Sequence, residues 1–496
     1  MKLSIKHLGI ILLFVIESIL LSSTAAASQG PLSTSDLDRM ILDQMSKHGL
    51  PGVALAVIEG DEIVYLKGYG TAGSQAMTPQ TQMFIGSQSK SITALVVAIM
   101  AEEGLVDLDA PVRTYIPWFQ VNDISASSQI TINHLLHHTS GLSGSGYGVI
   151  LPAKANSEEV TRSLAKAELT APIGTSFQYF NEGYDVLAYI IETVTGERYA
   201  DIVQAKVFEP LKMFSSTADP SKAIDLSTGY TRLFGFAVPM TQPVRNYEIG
   251  AGYIISTAED MAEYALAVKN GGEGLVSPEM YRRILKPGLG EYGFGWHIVD
   301  HGSKIFHGGA NETFATHVNI YPYADRAFVL LINEGYQIDH FISSDQLMRS
   351  VEAVVLGKNP PSVTDGWSVR WIGWGIGVLV LGLVVLHTRN FLSLFRGWKE
   401  RAGEMSKTRK IWDVGISFLI PVIILAVVFS QVKSFYGNRF NLMTNLVYMR
   451  YGLPDIFILM LVGTLPDLIQ GTIKLVWVIQ GKTKNSVQSL EEVQTT

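Results

Sequence analysis

A chain of 496 residues with 47% hydrophobic and 17% charged side chains has room for one large or two smaller folded units, and its low charge points to a membrane portion. A net charge of −7 offers no basic footprint and argues against a nucleic-acid partner. The lack of cysteine excludes disulfides, thiolate metal sites, thiol nucleophiles and an acylated lipoprotein cysteine; with no His-x-His or His-Glu-x-x-His pattern either, no metal and no cofactor is expected.

Residues 1–27 carry Lys2 and Lys6, an apolar run from Leu8 to Leu21, and Ala25-Ala26-Ala27. These are the three parts of a secretory signal peptide cleaved after Ala27, although Glu17 inside the run leaves an uncleaved anchor as the alternative. A folded domain is expected over 28–357. Leu37 to His48 reads as an amphipathic helix, and Val53–Ile58 and Glu62–Lys67 as strands joined by a turn at Glu59-Gly60-Asp61.

The next segment, Phe84-Ile-Gly-Ser-Gln-Ser-Lys-Ser-Ile-Thr-Ala-Leu95, opens a helix to about Glu103, with Ile92, Leu95, Val96, Ile99 and Met100 as its apolar positions. Ser87 falls at the helix N-terminus, where free N–H groups favour developing negative charge. Lys90 lies on the same face about 4.5 Å further along the axis. An amine beside a hydroxyl suits a nucleophile with a nearby proton acceptor. The spacing is not unique: Ser-x-x-Lys occurs three times, at Ser87, at Ser163 with Lys166 and at Ser430 with Lys433. A helix cap and a solvated charge are the alternative roles for Ser87 and Lys90.

Residues 106–250 show Pro/Gly-rich loops and helical patterns with few convincing strands. Within them, Tyr179-Phe180-Asn181 precedes a helix over Val186–Val194. Tyr179 can relay a proton, and Asn181 offers an amide both a donor and an acceptor. Beyond Ile249-Gly-Ala-Gly252, a helix is expected over Thr257–Asn270. Strand-like runs follow at Tyr292–Val299, Lys304–His307, Phe314–Ile320 and Arg326–Ile332, then a helix over Asp339–Leu356. His307-Gly308-Gly309-Ala310 ends one of these strands, where paired glycines let a substrate backbone approach an open edge. The Ala310 N–H there can point at a developing oxyanion. Two strands at one end and four at the other imply a single antiparallel sheet closed by both termini, with a helical lobe inserted between.

A linker over 358–370, with Pro360-Pro361, leads to three apolar segments, about 371–388, 414–432 and 456–480. The first two lack Asp, Glu, Lys and Arg, and each is long enough to span at about 20 residues per helix. The third is interrupted by Pro466, Asp467 and Lys474; Lys474 can snorkel, whereas Asp467 needs a partner. Seven basic residues between Arg389 and Lys410 make that loop cytoplasmic by the positive-inside rule. The folded domain is then extracytoplasmic, as the signal peptide also requires, and 481–496 is a cytoplasmic tail. Three helices exceed what anchoring in the lipid bilayer needs, which leaves room for a membrane protein partner. Ser430, Lys433, Tyr436 and Asn438 form a decoy set at a membrane face, with no Gly-rich strand to complete it.

The segments Phe84–Leu95, Leu135-Leu-His-His-Thr-Ser-Gly-Leu142, Phe177-Gln-Tyr-Phe-Asn-Glu-Gly-Tyr184 and His307-Gly-Gly-Ala310 together resemble the serine beta-lactamase-related family, over roughly residues 33–356. That family includes class C beta-lactamases, low-molecular-weight penicillin-binding proteins, D-aminopeptidases and esterases. The resemblance implies an α+β fold, an antiparallel sheet flanked by helices with an inserted all-helical lobe and the site between them. It makes Ser87 the acylated nucleophile, Lys90 its proton partner, Tyr179 the base and relay, and Asn181 a ligand for the substrate amide. The Ser87 and Ala310 N–H groups become the oxyanion hole, while His137 and His138 read as structural. One departure is His307-Gly308-Gly309 where many members have Lys-Thr-Gly. A histidine is charged only below about pH 6.5 unless its surroundings shift it, which weakens recognition of a terminal carboxylate. The expected activity is acyl-enzyme hydrolysis of D-alanyl peptides of peptidoglycan or D-alanyl esters of envelope polymers. The alternatives are a beta-lactamase and a penicillin-binding sensor that signals through its membrane helices.

Overall fold

A computed structural model describes residues 33–494 apart from 145–146, 148, 150, 337–339, 362–368, 437–445 and 447–448, and the expected signal peptide lies outside the described residues. The first helix, α1 (Thr34–His48), begins where the Ser33 side chain accepts from the Asp36 N–H and stops at Gly49, whose φ of 67° is left-handed. Strands β1 (Gly52–Glu59), β2 (Glu62–Gly70), β7 (His297–Val299), β8 (Lys304–Ala310), β9 (Ala315–Tyr321) and β10 (Arg326–Ile332) form one antiparallel sheet in the order β2-β1-β10-β9-β8-β7. The two ends of the domain therefore meet as β1 and β10, as their place at opposite ends of the sequence implied.

Both central strands are buried on both faces, which is why they read as unbroken apolar runs. Side chains alternate between the faces. Val53, Leu55 and Val57 meet Leu37 and Ile41 of α1 and Leu347 and Val351 of the C-terminal helix (Asp345–Val355). Ala54, Ala56 and Ile58 face the larger core, which holds α2 (Ser89–Glu102). Every residue of α2 from Ser89 to Met100 is buried, Lys90 included. A short pair, β3 (Met83–Phe84) with β6 (Ile255–Ser256), sits at the point where the inserted lobe returns, so Ser87 and Gly252 become neighbours.

Two elements differ from the sequence reading. Tyr292–Trp296 is loop rather than strand, because Gly295, with φ 74°, lies so close to α2 that a Cβ would stand 2.5 Å from the Ser91 backbone. The lobe also contains a hairpin, β4 (Tyr230–Leu233) and β5 (Phe236–Pro239), turned at Phe234 and Gly235 with φ of 51° and 83°. It interlocks with the first membrane helix: a Cβ on Gly373 would stand 2.1 Å from the Gly235 nitrogen.

Three helices are long and apolar enough to span a membrane, over Arg370–Trp398, Lys407–Ser430 and Pro454–Gln480. Asp467 stands 3.3 Å from the His387 Nδ1 of the first membrane helix. Lys474 lies 3.2 Å from the Asp413 carboxylate, which also accepts from the Trp398 indole at 2.6 Å, rather than standing alone. The folded domain and the start of the third helix meet at one end of this bundle, while the basic loop around Lys399–Lys410 lies at the other.

Candidate active site

The site is assembled where the first turn of α2 meets the end of β8. The turn Gly86–Gln88 is 3-10, with φ +57° at Gly86, and a Cβ there would stand 2.5 Å from the Ala310 nitrogen. Gly309 is the complementary surface: a Cβ on it would stand 2.0 Å from the Ile85 carbonyl oxygen. The two glycines thus bring Ser87 against β8, a purpose different from the one the sequence suggested for Gly309, which was to admit substrate. Gly308 has no neighbour nearer than 3.8 Å to such a Cβ. Strand β7 pairs with β8 only at residues 304–306, so His307 to Ala310 have no strand partner on that side.

Lys90 Nζ lies 3.1 Å from Ser87 Oγ and donates to the Ala251 carbonyl at 2.7 Å. That carbonyl belongs to the single-turn helix Ile249–Gly252, which is also held by Thr93 Oγ1 donating to the Gly250 carbonyl at 2.7 Å. The amine is fully buried, and it also sits 4.8 Å from the Tyr179 ring centroid. Ser87, Asn181 and Ala310 line one cavity of about 100 Å³ with Arg245, Glu248, Tyr253 and Glu312. Asn181 is the first residue of a helix that runs to Thr195, five residues earlier than the apolar pattern suggested.

His138 organises the tyrosine segment. It is buried with φ +56°; its carbonyl accepts from the Gln178 N–H at 2.7 Å and its Nδ1 from the Phe180 N–H at 3.2 Å. Its ring stands 4.4 Å from that of Tyr179. Burial, reinforced by the Lys90 charge, holds the His138 pKa well below the usual imidazole range, so it packs as a neutral ring. His137 bonds through Nδ1 to the Tyr292 carbonyl at 2.9 Å.

His307 does not supply the cation that the family's lysine would. It is buried, its Nδ1–H donates to the Gly308 carbonyl at 2.6 Å, and its Nε2 accepts from the Tyr292 hydroxyl at 3.1 Å. Burial first, then the charges of His297 and Lys90, push its pKa well below the ordinary value. Burial also lifts Tyr292 well above the usual phenol range, which keeps it protonated as the donor.

The cavity holds charges that sequence reasoning passed over. Arg245 reaches Glu312 at 2.5 Å, the Tyr253 hydroxyl at 2.5 Å and Glu248 at 3.7 Å. Glu312 accepts in turn from Gln242 Nε2 at 2.5 Å. Burial raises the Glu248 carboxyl pKa, and Arg245 opposes the shift. No periodicity or motif marks these residues, and Glu312 joins the Gln242–Glu248 segment only through the fold. The one available signal was Ile249-Gly-Ala-Gly252, whose glycines mark a close approach: a Cβ on Gly250 would stand 2.6 Å from the Tyr184 carbonyl.

The other two Ser-x-x-Lys pairs are not built this way. Ser163 Oγ is bound to Tyr147 Oη at 2.5 Å and to the Val160 carbonyl at 2.6 Å, while Lys166 is exposed. Ser430 is exposed on the second membrane helix; Asn438 and the side chains of Lys433 and Tyr436 lie outside the described residues.

An antiparallel sheet with an inserted helical lobe, and a serine paired with a buried lysine between them, define a beta-lactamase-like, penicillin-binding-protein-like serine hydrolase. The chain belongs to the Beta-lactamase family, whose sequence model matches residues 37–353. It is 24% identical over 421 residues to Protein flp of Staphylococcus aureus (strain N315), covering 80% of this chain and 81% of that protein. It is 30% identical over 297 residues to PbpX of Bacillus subtilis (strain 168), covering 58% of this chain and 71% of that protein. Among solved structures, the octameric penicillin-binding protein homologue from Pyrococcus abyssi superposes with a TM-score of 0.57 at 26% identity, over 66% of this chain and 79% of that one.

Proposed function

We propose that the protein is an extracytoplasmic, membrane-anchored serine hydrolase that forms an acyl-enzyme on D-alanyl peptides or D-alanyl esters of the cell envelope. The observation that carries this reading is the 3.1 Å contact between Ser87 Oγ and a Lys90 amine that is buried and oriented by the Ala251 carbonyl. The Lys90 amine, held by the Ala251 carbonyl, is placed to take the Ser87 proton. Ser87 Oγ then attacks the substrate carbonyl, and the negative charge that develops falls to the Ser87 and Ala310 N–H groups. Tyr179 relays the proton to the leaving group, Asn181 bonds the substrate amide, and water releases the acyl group from Ser87.

With His307 held in its uncharged form by burial and Arg245 already engaged by Glu312, no cation among the described residues lining the cavity is left for a terminal carboxylate. The charge balance therefore favours D-alanyl esters and amides over carboxylate-terminated peptides and beta-lactams. The test is kcat/KM for a neutral D-alanyl ester against a D-alanyl-D-alanine peptide. The ester is expected to be the better substrate, by about tenfold, the equivalent of about 1.4 kcal/mol. A preference for the peptide contradicts the charge-balance reading of the cavity, and an acyl adduct that never turns over points instead to a sensor.

A further inference from the structure

The outer end of the third membrane helix reaches the cavity that holds Ser87. Gly452, two residues before that helix (Pro454–Gln494), lines it together with Ser87, Ala310 and Asn311. The placement is secured rather than grazing. Leu453 packs on Tyr336 with Ile342 and Ile456, and the Tyr336 hydroxyl donates to Asp455 Oδ1 at 2.8 Å, both residues being buried. The same oxygen accepts from the Ile456 N–H at 2.9 Å, which ties the bond to the helix N-terminus.

Tyr336 is in turn continuous with the catalytic rim. Its neighbour Gly335 is seated so tightly that a Cβ would stand 2.4 Å from the Phe314 nitrogen and 2.5 Å from the Asn311 carbonyl. The rim segment Asn311–Glu312 thus rests on the residues that grip the third helix. Gly335 also donates its N–H to Tyr230 of the β4–β5 hairpin at 3.1 Å, and the tip of that hairpin interlocks with the first membrane helix.

We propose that the Gly452–Asp455 segment is a wall of the catalytic cleft, so that the membrane region limits how bulky a substrate Ser87 can receive. The identity of that substrate rests on the hydrolase reading above, whereas the wall itself does not. The chain has no cysteine, so Gly452→Cys in the full-length protein, purified in detergent, introduces a unique thiol. Coupling that thiol to a polyethylene-glycol maleimide is expected to slow acylation of Ser87 by a fluorescent penicillin about tenfold or more. Prior acylation should likewise protect the thiol. A thiol that reacts equally fast before and after acylation, with Ser87 labelling at its unmodified rate, overturns the wall. If penicillin fails to label even the wild type, as the charge balance of the cavity allows, the same protection measured with a small serine-directed fluorophosphonate decides the wall, while absence of any acyl adduct with a D-alanyl ester is what would sink the hydrolase reading.

Should Gly452→Cys not fold, Tyr336→Phe provides the second test. Loss of the bond to Asp455 should raise the ratio of kcat/KM for a large ester over a small one by about threefold. Asp455→Asn, which keeps an acceptor for the Tyr336 hydroxyl, should leave the ratio near that of wild type. Equal changes on both esters in Tyr336→Phe overturn the proposal, because a merely structural role would not discriminate by size.

Discussion

The pairs Ser87/Lys90 and Ser163/Lys166 have the same spacing and opposite fates. Ser87 stands in the turn that begins a helix, and its lysine is sealed inside with the Ala251 carbonyl as anchor. Ser163 closes a helix (Ser157–Ser163), its hydroxyl is taken by the Val160 carbonyl of that same helix, and its lysine is in solvent. A local pattern brings two groups to one face of a helix. Only tertiary contacts desolvate the amine, orient it and bring the end of β8 opposite.

The sharpest way to break this contrast is at the serines. Ser87→Ala should lower ester hydrolysis by about 10⁴ or more, as expected when an acyl-transfer nucleophile is lost, while Ser163→Ala should stay within about twofold. Steady-state kinetics on the full-length protein decide it; equal losses would remove the distinction.

The lysines come next. Lys90→Ala should reduce acylation by about 10²–10⁴, the usual contribution of a positioned proton acceptor, whereas Lys166→Ala should leave the acylation rate unaltered. Stopped-flow labelling with a fluorescent acylating probe measures both. A Lys90→Ala enzyme with unimpaired acylation would transfer the proton to another group.

The two glycines of β8 sharpen the same point structurally. Gly309→Ala forces a Cβ into the Ile85 carbonyl and should cost about 1–3 kcal/mol of stability. Gly308→Ala meets nothing nearer than 3.8 Å and should stay within about 0.5 kcal/mol. Denaturant unfolding of the two variants checks this, and equal destabilisation would contradict the packing described.

The glycine pair also illustrates what was legible in advance. Residues 53–58 and 326–332 declare themselves because a strand buried on both faces needs an unbroken apolar run. The helix after Ser87 is equally plain. Tyr292 is hidden, because a loop that dives beneath α2 carries no periodicity and its aromatic and β-branched residues imitate a strand. The β4–β5 hairpin is hidden for a related reason: it has four residues per strand, and Phe236 is 59% exposed, so no alternation of buried positions marks it. Arg245, Glu248 and Glu312 could not be read at all, since only the fold brings the 245–248 segment and Glu312 to the cavity of Ser87. His307 was visible as a departure, but its neutrality depends on burial and on Tyr292, which no spacing reveals.

A smaller effect follows from that neutrality. Because the folded-state pKa of His307 lies below its ordinary 6.5, the unfolded chain takes up the proton first as pH falls. Stability from this group is complete above about pH 6.5 and is lost below it, by up to about 1.4 kcal/mol per pH unit until the folded-state pKa is reached. The buried His138 contributes in the same direction. In His307→Asn, the fall in unfolding free energy on acidification should be shallower than in wild type. An unchanged slope would mean that His307 titrates normally in the folded protein.

The central claim is that Ser87, and no other serine, carries the acyl group through chemistry assisted by Lys90. Its most direct test is peptide-mapping mass spectrometry of the full-length protein quenched during turnover of a D-alanyl ester. The account predicts a D-alanyl mass increment on the peptide containing Ser87, rising and then decaying as substrate is exhausted, and absent from Ser87→Ala. An increment on a peptide containing Ser163 or Ser430, or one that persists in Ser87→Ala, would contradict it.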